Sequence, residues 1–116
     1  MSDVTLIPVF EVKAGRTEDF KVAAATLIER TNGEPDTLRY DQYLSSDGRR
    51  MVNIEVFRDA DAFVFHNRNV ADLVPALFDA GPVVHVDVIG EVNDALRAEL
   101  AFADATYHLP LGSIDR

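Results

Sequence analysis

The chain has 116 residues, of which 47% are apolar, and this is enough to bury a single hydrophobic core. Its 20 acidic and 11 basic residues give a formal charge of −9, which repels phosphate groups and disfavours nucleic acid and anionic membrane surfaces as partners. The absence of cysteine excludes disulfides, thiolate metal sites and thiol nucleophiles.

The sequence lacks the signature of a targeting or membrane-spanning segment. The first residues, MSDVTLIPVFEVK, do not place a basic segment before an apolar one, and no run approaches the roughly 18 apolar residues of a membrane span. Linkers, low-complexity runs and repeats are also missing. We therefore expect residues 1–116 to form one soluble, cytoplasmic domain.

The first third of the chain predicts a strand and then a helix. Val4–Lys13 alternates as a strand does, and Pro8, which cannot donate a ladder hydrogen bond, indicates an edge strand or a bulge. A helix begins near Thr17, and its apolar stripe consists of Phe20, Ala23, Ala24, Leu27, Ile28 and Thr31. The pair Asn32-Gly33 predicts a left-handed cap at the end of this helix.

A β-hairpin is predicted next. Thr37–Leu44 and Arg50–Arg58 have the composition and length of strands, and Asp47-Gly48 between them favours the positive φ that a tight turn needs. Directly afterwards Asp59 or Asp61 can cap a second helix that carries His66.

The remaining elements complete the pattern. Asn67–Asn69 predicts a break, and the helical stripe that follows contains Pro75, which indicates a kink or a short helix. Pro82–Ile89 is a β-branched run that predicts a fourth strand, and Asn93 can cap a last helix over residues 94–103. The tail is too apolar to be solvated, so we expect residues 93–116 to pack on the domain or on a partner subunit.

The predicted order is β-α-β-β-α-β, the ferredoxin-like α+β pattern with a four-stranded antiparallel sheet and helices on one face. The strands carry apolar residues on both alternation phases, as shown in the third strand by Met51 and Phe57 on one phase and Val52, Ile54 and Val56 on the other. An antiparallel sheet with one solvated face does not have this composition. We expect the second face to pack against another subunit in a two-fold homodimer. Which phase faces the helices stays open.

Glu55 and His66 are the candidate catalytic residues. The strand that carries Glu55 leads within a few residues into the helix that carries His66, which predicts that both side chains reach one cavity between the sheet and that helix. A carboxylate and an imidazole placed together can move protons. The structural alternative is that His66 is a packed imidazole bonded to backbone.

Four further residues are candidates for binding a substrate. Tyr40 and Asn53 can orient a hydroxyl or carbonyl group, and Phe57 and Phe63 can hold an aromatic ring. The three histidines have spacings that match no compact metal motif, and neither a phosphate loop nor a serine nucleophile motif is found. We therefore expect no metal and no other cofactor.

Three stretches resemble a known family. EPDTLRY, the Asp47-Gly48 hairpin and NIEVFRDADAFVFH are similar to the antibiotic biosynthesis monooxygenase (ABM-like) family of dimeric α+β barrel proteins. The resemblance covers about residues 4 to 90, and the matching positions are Glu55, Phe57, Ala62 and His66. It implies a small-molecule cavity near these residues and a homodimer.

The resemblance also implies activities. Members oxygenate quinols and aromatic polyketides without metal or flavin, degrade haem, or isomerise a phosphorylated autoinducer. The haem-degrading branch has an Asn on the first strand and a Trp on the second helix, and this sequence has neither. We therefore expect a cofactor-independent monooxygenase that uses oxygen and acts on a small aromatic, quinol or polyketide-like substrate. The alternatives are an isomerase of a small hydroxyketone and a non-catalytic small-molecule-binding dimer.

Overall fold

Five strands and four helices make up the computed structural model, which describes residues 3–116. The strands are β1 (Val4–Glu11), β2 (Thr37–Leu44), β3 (Arg50–Phe57), β4 (Val83–Ile89) and β5 (Ala105–His108). The helices are α1 (Thr17–Thr31), α2 (Ala60–Asn69), α3 (Val74–Ala80) and α4 (Asp94–Glu99). Within this described range, no helix combines the length and the apolar character that a membrane crossing requires.

The strands form one open sheet in the order β2-β3-β1-β4-β5. The first four strands pair antiparallel, as the ferredoxin-like pattern predicts, and the α+β fold with helices on one face is confirmed. The sheet has a fifth strand that the sequence did not predict, because β5 pairs parallel to β4. The edge alternative for Pro8 is wrong, since β1 is central. Its register with β4 instead shifts between Val9 and Phe10.

The alternation of buried and half-buried residues shows which strand phase faces the helices. In β3, Met51 and Phe57 are buried beneath the helices, whereas Val52, Ile54 and Val56 are half-buried on the other face. We call this second face the uncovered face. The apolar residues of this face are consistent with a homodimer, and the homodimer stays a prediction.

The core consists of two groups of buried side chains under the helices. One group lies near the ends of β1 and β3 that meet α2 and α4, and its members include Val4, Leu6, Phe57, Phe63 and Leu96. The other lies beneath α1 and α3, and its members include Phe10, Phe20, Leu27, Met51 and Leu77. The space between the two groups is where the candidate site lies.

The turns follow local sequence with one exception. Gly48 has a φ of 72°, so the predicted hairpin turn is confirmed. The predicted left-handed cap of α1 is wrong, because Asn32 keeps a helical φ of −59°. The backbone N–H of Glu34 then donates to the carbonyl of Thr31 at 2.9 Å, and this turn directs the Glu34 side chain back under the helices.

Asp59 is the cap of α2, since its carboxylate accepts a hydrogen bond from the backbone N–H of Ala62 at 2.8 Å. The predicted break at residues 67–69 is wrong, because α2 continues through Asn69. Pro75 stands in the first turn of the short helix α3, where its missing N–H costs nothing.

The C-terminal segment packs on its own domain through β5. Asn93 caps α4 as predicted, but the helix ends at Glu99, four residues before the predicted end. Beyond β5, Leu109, Leu111 and Ile114 are exposed. The tail therefore extends the sheet and leaves apolar side chains without cover in the single chain.

Candidate functional site

A cavity of about 80 Å³ lies between the sheet and the helices, in the space between the two core groups. Four of its lining residues are polar or titratable: Tyr40, Glu55, His66 and Asn67. The other lining residues are apolar. Since about 10–15 Å³ holds one water molecule, the volume suits a compact ligand with few polar groups.

His66 lies on the inner side of α2 and is hydrogen-bonded to Glu34. Its Nδ1 is 2.9 Å from each of the two carboxylate oxygens of Glu34. The side chains of the pair are only 5% and 1% exposed. The hydrogen-bond partner of this histidine is therefore a residue of the turn between α1 and β2, which the sequence analysis did not single out.

Glu34 is fixed by two further donors. Its carboxylate accepts a hydrogen bond from Thr37 Oγ1 at 2.6 Å and one from Asn69 Nδ2 at 2.9 Å. Burial alone raises the pKa of Glu34, but the hydrogen bonds from His66, Thr37 and Asn69 outweigh it and lower the pKa. Glu34 is thus an anion held in one orientation beside the imidazole.

This arrangement selects one tautomer of His66. A carboxylate can only accept, so Nδ1 carries the hydrogen and the lone pair of a neutral ring lies on Nε2. Within residues 3–116, the ring makes its hydrogen bonds through Nδ1 alone. Aromatic rings hold the imidazole in place, since Tyr40 and Phe57 each lie 5.2 Å from it and Phe63 lies 6.4 Å from it, centroid to centroid.

Glu55 occupies the adjacent part of the cavity wall, and its surroundings differ from those of Glu34. It is 5% exposed and accepts one hydrogen bond, from Asn53 Nδ2 to Oε2 at 3.1 Å. Burial raises the pKa of Glu55, although the charge of His66 and the Asn53 amide act in the opposite direction. Glu55 is therefore a carboxyl group that keeps its proton to a higher pH than usual.

Tyr40 pairs with Glu55 across the β2–β3 ladder and completes the polar wall. Burial, followed by the charge of Glu55, raises the pKa of the Tyr40 hydroxyl well above 10.0. The hydroxyl is thus a donor that stays protonated.

With the geometry in view, the comparison with known families decides the affiliation of the chain. The model of the antibiotic biosynthesis monooxygenase family matches residues 3–71, more than half of the sequence. The chain belongs to this family. The matched segment ends just after α2, so it contains every titratable residue of the cavity wall. The walls contributed by residues after 71 are all apolar, and they include Leu77, Val83, Leu100 and Phe102.

Solved structures share this fold. MupZ from Pseudomonas fluorescens is similar over 100% of this chain and 96% of its own, with 28% identity and a TM-score of 0.85. Rv0793 from Mycobacterium tuberculosis shares 23% identity over 81% of this chain and 99% of its own, with a TM-score of 0.69. SnoaB from Streptomyces nogalater, a cofactor-independent oxygenase, shares 22% identity over 80% of this chain and 96% of its own, with a TM-score of 0.65. No curated protein sequence matches the chain.

The structure brings four of the six predicted site residues of this family member to the cavity: Tyr40, Glu55, Phe63 and His66. The other two lie behind its wall. Asn53 is 1% exposed and contacts Glu55, and Phe57 is fully buried under the His66 ring. These two residues position the groups that line the cavity.

Glu34 is the functional candidate that the sequence analysis missed. The only local signal is a glutamate that precedes a proline in a helix–strand connection, and such residues are usually solvated. Across the described part of the chain, no group of three histidine, aspartate or glutamate side chains is arranged to hold a metal ion.

Proposed function

We propose that the protein is a cofactor-independent monooxygenase in which His66 removes a proton from a small aromatic, quinol or polyketide-like substrate. The observation that supports this proposal is the bond from His66 Nδ1 to Glu34, which leaves Nε2 as an acceptor next to an apolar cavity. Family membership and the SnoaB neighbour agree with oxygenation. A base of this kind contributes about 10²–10⁴-fold to a rate.

The proposed reaction begins with proton transfer. His66 Nε2 accepts a proton from an acidic C–H or O–H group, and Glu34 stabilises the imidazolium that forms. The electron-rich anion then reacts with molecular oxygen at carbon. For an activated CH₂ group, one oxygen atom becomes the carbonyl of the product and the other leaves as water together with both hydrogens, so atoms and electrons balance.

The apolar walls support this chemistry. Phe10, Phe63 and Phe78 are among the lining residues and can pack against a ring. Removing water from around the anion leaves oxygen as its reaction partner.

Oxygen uptake tests the proposal, with an anthrone and a naphthohydroquinone as probes. We expect His66→Ala to lower kcat by about 10²–10⁴-fold and Glu34→Gln to lower it less, because the base remains without its orienting anion. The matched control is Glu29→Gln, an exposed position on α1 away from the cavity and from the uncovered face, which should leave uptake unchanged. Equal rates for wild type and His66→Ala contradict the assignment.

A second candidate function is isomerisation of a small hydroxyketone. The observation that favours it is the separate carboxyl of Glu55, whose raised pKa gives the cavity a second proton-transfer group. An isomerase converts its probe without consuming oxygen, so anaerobic turnover distinguishes the two functions. A protein that only binds ligand shows a dissociation constant for the probe and no turnover under either condition.

We also propose that the protein works as a homodimer joined through the uncovered face. The half-buried Val52, Ile54 and Val56 and the half-exposed Tyr43 support this interface. Sedimentation equilibrium should give twice the chain mass of 12.8 kDa. A monomer at micromolar concentration contradicts it, and Ile54→Asp should then have no effect on the measured mass.

A further inference from the structure

Glu55 is a buried carboxyl group for which the monooxygenase chemistry above has no use. We propose that Glu55 is uncharged before substrate binds and donates its proton to a substrate oxygen, and that the substrate is an uncharged molecule. Such a molecule presents one acidic group to His66 and one carbonyl or hydroxyl oxygen to Glu55. The inference rests on the proposed role of His66 as base.

Glu55 has no permanently charged cationic neighbour among the described residues of the cavity wall. In the described residues, the cavity wall contains no lysine or arginine, and Glu55 takes part in no salt bridge. The imidazole that shares the wall is already committed to Glu34 through Nδ1. A carboxylate buried without a partner is costly, whereas a neutral carboxyl is not.

The negative charge beside His66 is already carried by Glu34. Glu34 holds three hydrogen-bond donors and carries the negative charge. Burial is the first cause of the raised pKa of Glu55, the charge of His66 and the Asn53 hydrogen bond oppose it, and repulsion from the charge of Glu34 adds to it.

The hydrogen bond from Asn53 determines which oxygen of Glu55 carries the proton. Asn53 Nδ2 donates to Oε2, so that oxygen is an acceptor and the proton of a neutral carboxyl lies on Oε1. Asn53 is 1% exposed, and its position behind the wall fixes the carboxyl group in one orientation. Asn53 is therefore a positioning residue for Glu55.

The proton balance follows from these assignments. The substrate gives one proton to His66 Nε2, while Glu55 Oε1 donates a hydrogen bond to the oxygen that bears the resulting charge. After the anion adds oxygen, the peroxide oxygen receives the Glu55 proton, so the site then holds an imidazolium and a carboxylate and its total charge is unchanged. The carboxylate is then compensated by the charged His66 on the same wall. Exchange with solvent restores both groups for the next cycle.

The substrate class follows from the same wall. A phosphate or carboxylate group in this cavity meets no lysine or arginine among the described residues, and it shares the wall with the carboxyl group of Glu55. Phosphorylated hydroxyketones are therefore disfavoured relative to neutral phenols, quinols and ketones. This limit applies to the isomerase and to the oxygenase function alike.

Carbon-13 NMR of the glutamate-labelled, substrate-free protein tests the protonation of Glu55. The carboxyl resonance that is absent from Glu55→Gln should lie at the shift of a protonated carboxyl group at neutral pH. The control is Glu29→Gln, an exposed position on α1, which should remove a resonance at the shift of an ionised group. A Glu55 resonance at the ionised position overturns the inference, and this result does not depend on any turnover.

Kinetics and binding test the role and the substrate class. Glu55→Gln should lower kcat for the converted probe by about 10²-fold with little change in KM, because glutamine fills the same space but has no proton to give. A naphthohydroquinone sulfonate should bind at least roughly tenfold more weakly than the uncharged parent. Full kcat in Glu55→Gln, together with loss of turnover in His66→Ala, refutes the acid role and leaves the proposed base intact. Equal binding of the sulfonate refutes the substrate class.

Discussion

Two histidine–carboxylate clusters lie on opposite faces of the sheet, and they differ mainly in burial. The buried cluster, Glu34 and His66, lies under the helices with a ring nitrogen 2.9 Å from both carboxylate oxygens. The surface cluster is formed on the uncovered face by His85, Asp87, Asp104 and His108. There Asp87 Oδ1 is 3.1 Å from His85 Nε2 and 2.9 Å from His108 Nε2, and Asp104 is 3.0 Å from His85 Nδ1.

A contact between a histidine and a carboxylate is therefore not enough to identify a functional site. In the surface cluster, hydrogen bonds to Asp104 and Asp87 raise the pKa of His85, and those from His108 and His85 lower the pKa of Asp87. These groups compensate one another, and solvent screens them. Around His66, by contrast, two buried carboxyl groups have pKa values shifted in opposite directions, so one is held ionised and the other keeps its proton to a higher pH.

Removing the aromatic packing beneath His66 should cause the largest loss in the free energy of unfolding. Phe57→Ala deletes a fully buried ring and should lower the free energy of unfolding by about 3–5 kcal/mol. Urea unfolding monitored by circular dichroism measures the change. The control is Phe65→Ala on the same helix as His66, where the side chain is 57% exposed, and it should cost less than about 1 kcal/mol.

Removing the anion of the buried cluster comes next. Glu34→Gln should lower the free energy of unfolding at pH 7 by about 2–3 kcal/mol, because hydrogen bonds to a buried charged group are lost. The pKa of Glu34 is lowered from 4.5 in the folded state, so its stabilisation is present above pH 4.5 and is lost as the pH falls through the lowered pKa. The unfolding curves of wild type and Glu34→Gln should therefore differ at pH 7 and converge in acid. A constant difference between the two proteins contradicts the lowered pKa.

Replacing the other buried carboxyl should have the opposite sign. The pKa of Glu55 is raised above 4.5, so its neutral form favours folding below pH 4.5 and stability falls as the pH rises through the raised pKa. Glu55→Gln should be more stable than wild type at pH 8, because glutamine fills the same space without a buried charge. At pH 4 the two proteins should unfold at the same urea concentration. Destabilisation at pH 8 would show that Glu55 is ionised and paired.

The surface cluster should give the smallest change. Asp87→Asn removes the acceptor that His85 and His108 share and should lower Tm slightly near pH 6. The pKa of His85 is raised above 6.5, so its stabilisation is present below pH 6.5 and is lost as the pH rises through the raised pKa. High salt should reduce the difference, because the side chains of His85, Asp87 and His108 are 31%, 37% and 46% exposed in the single chain. A salt-resistant loss as large as that of Glu34→Gln would erase the contrast between the clusters.

Periodicity and turn chemistry predicted most of the fold, because the strands and α1 bury one face and their residue patterns record it. The alternation could not assign the faces, since both phases of β3 are apolar and only the packed helices decide between them. The strand β5 was missed because four residues carry little pattern and form a strand only through the free edge of β4.

The site was predicted in part for a similar reason. Glu55 and His66 are close in sequence, so a strand–helix connection brings them to one cavity. Glu34 lies 32 residues before His66, and nothing local records a contact that the packing of α2 against the turn after α1 creates. The aromatic contacts of His66 with Tyr40 and Phe57 likewise depend on tertiary packing.

The titratable and the apolar walls of the cavity differ in which stretches of the chain supply them. Every titratable residue of the cavity wall comes from the segment that the family model matches, and the walls from residues after 71 are entirely apolar. Substitutions in this later segment can reshape the cavity without touching the Glu34–His66 pair. A library confined to positions such as Leu77, Leu100 and Phe102 should therefore change which substrates are accepted while the titratable residues of the wall stay the same.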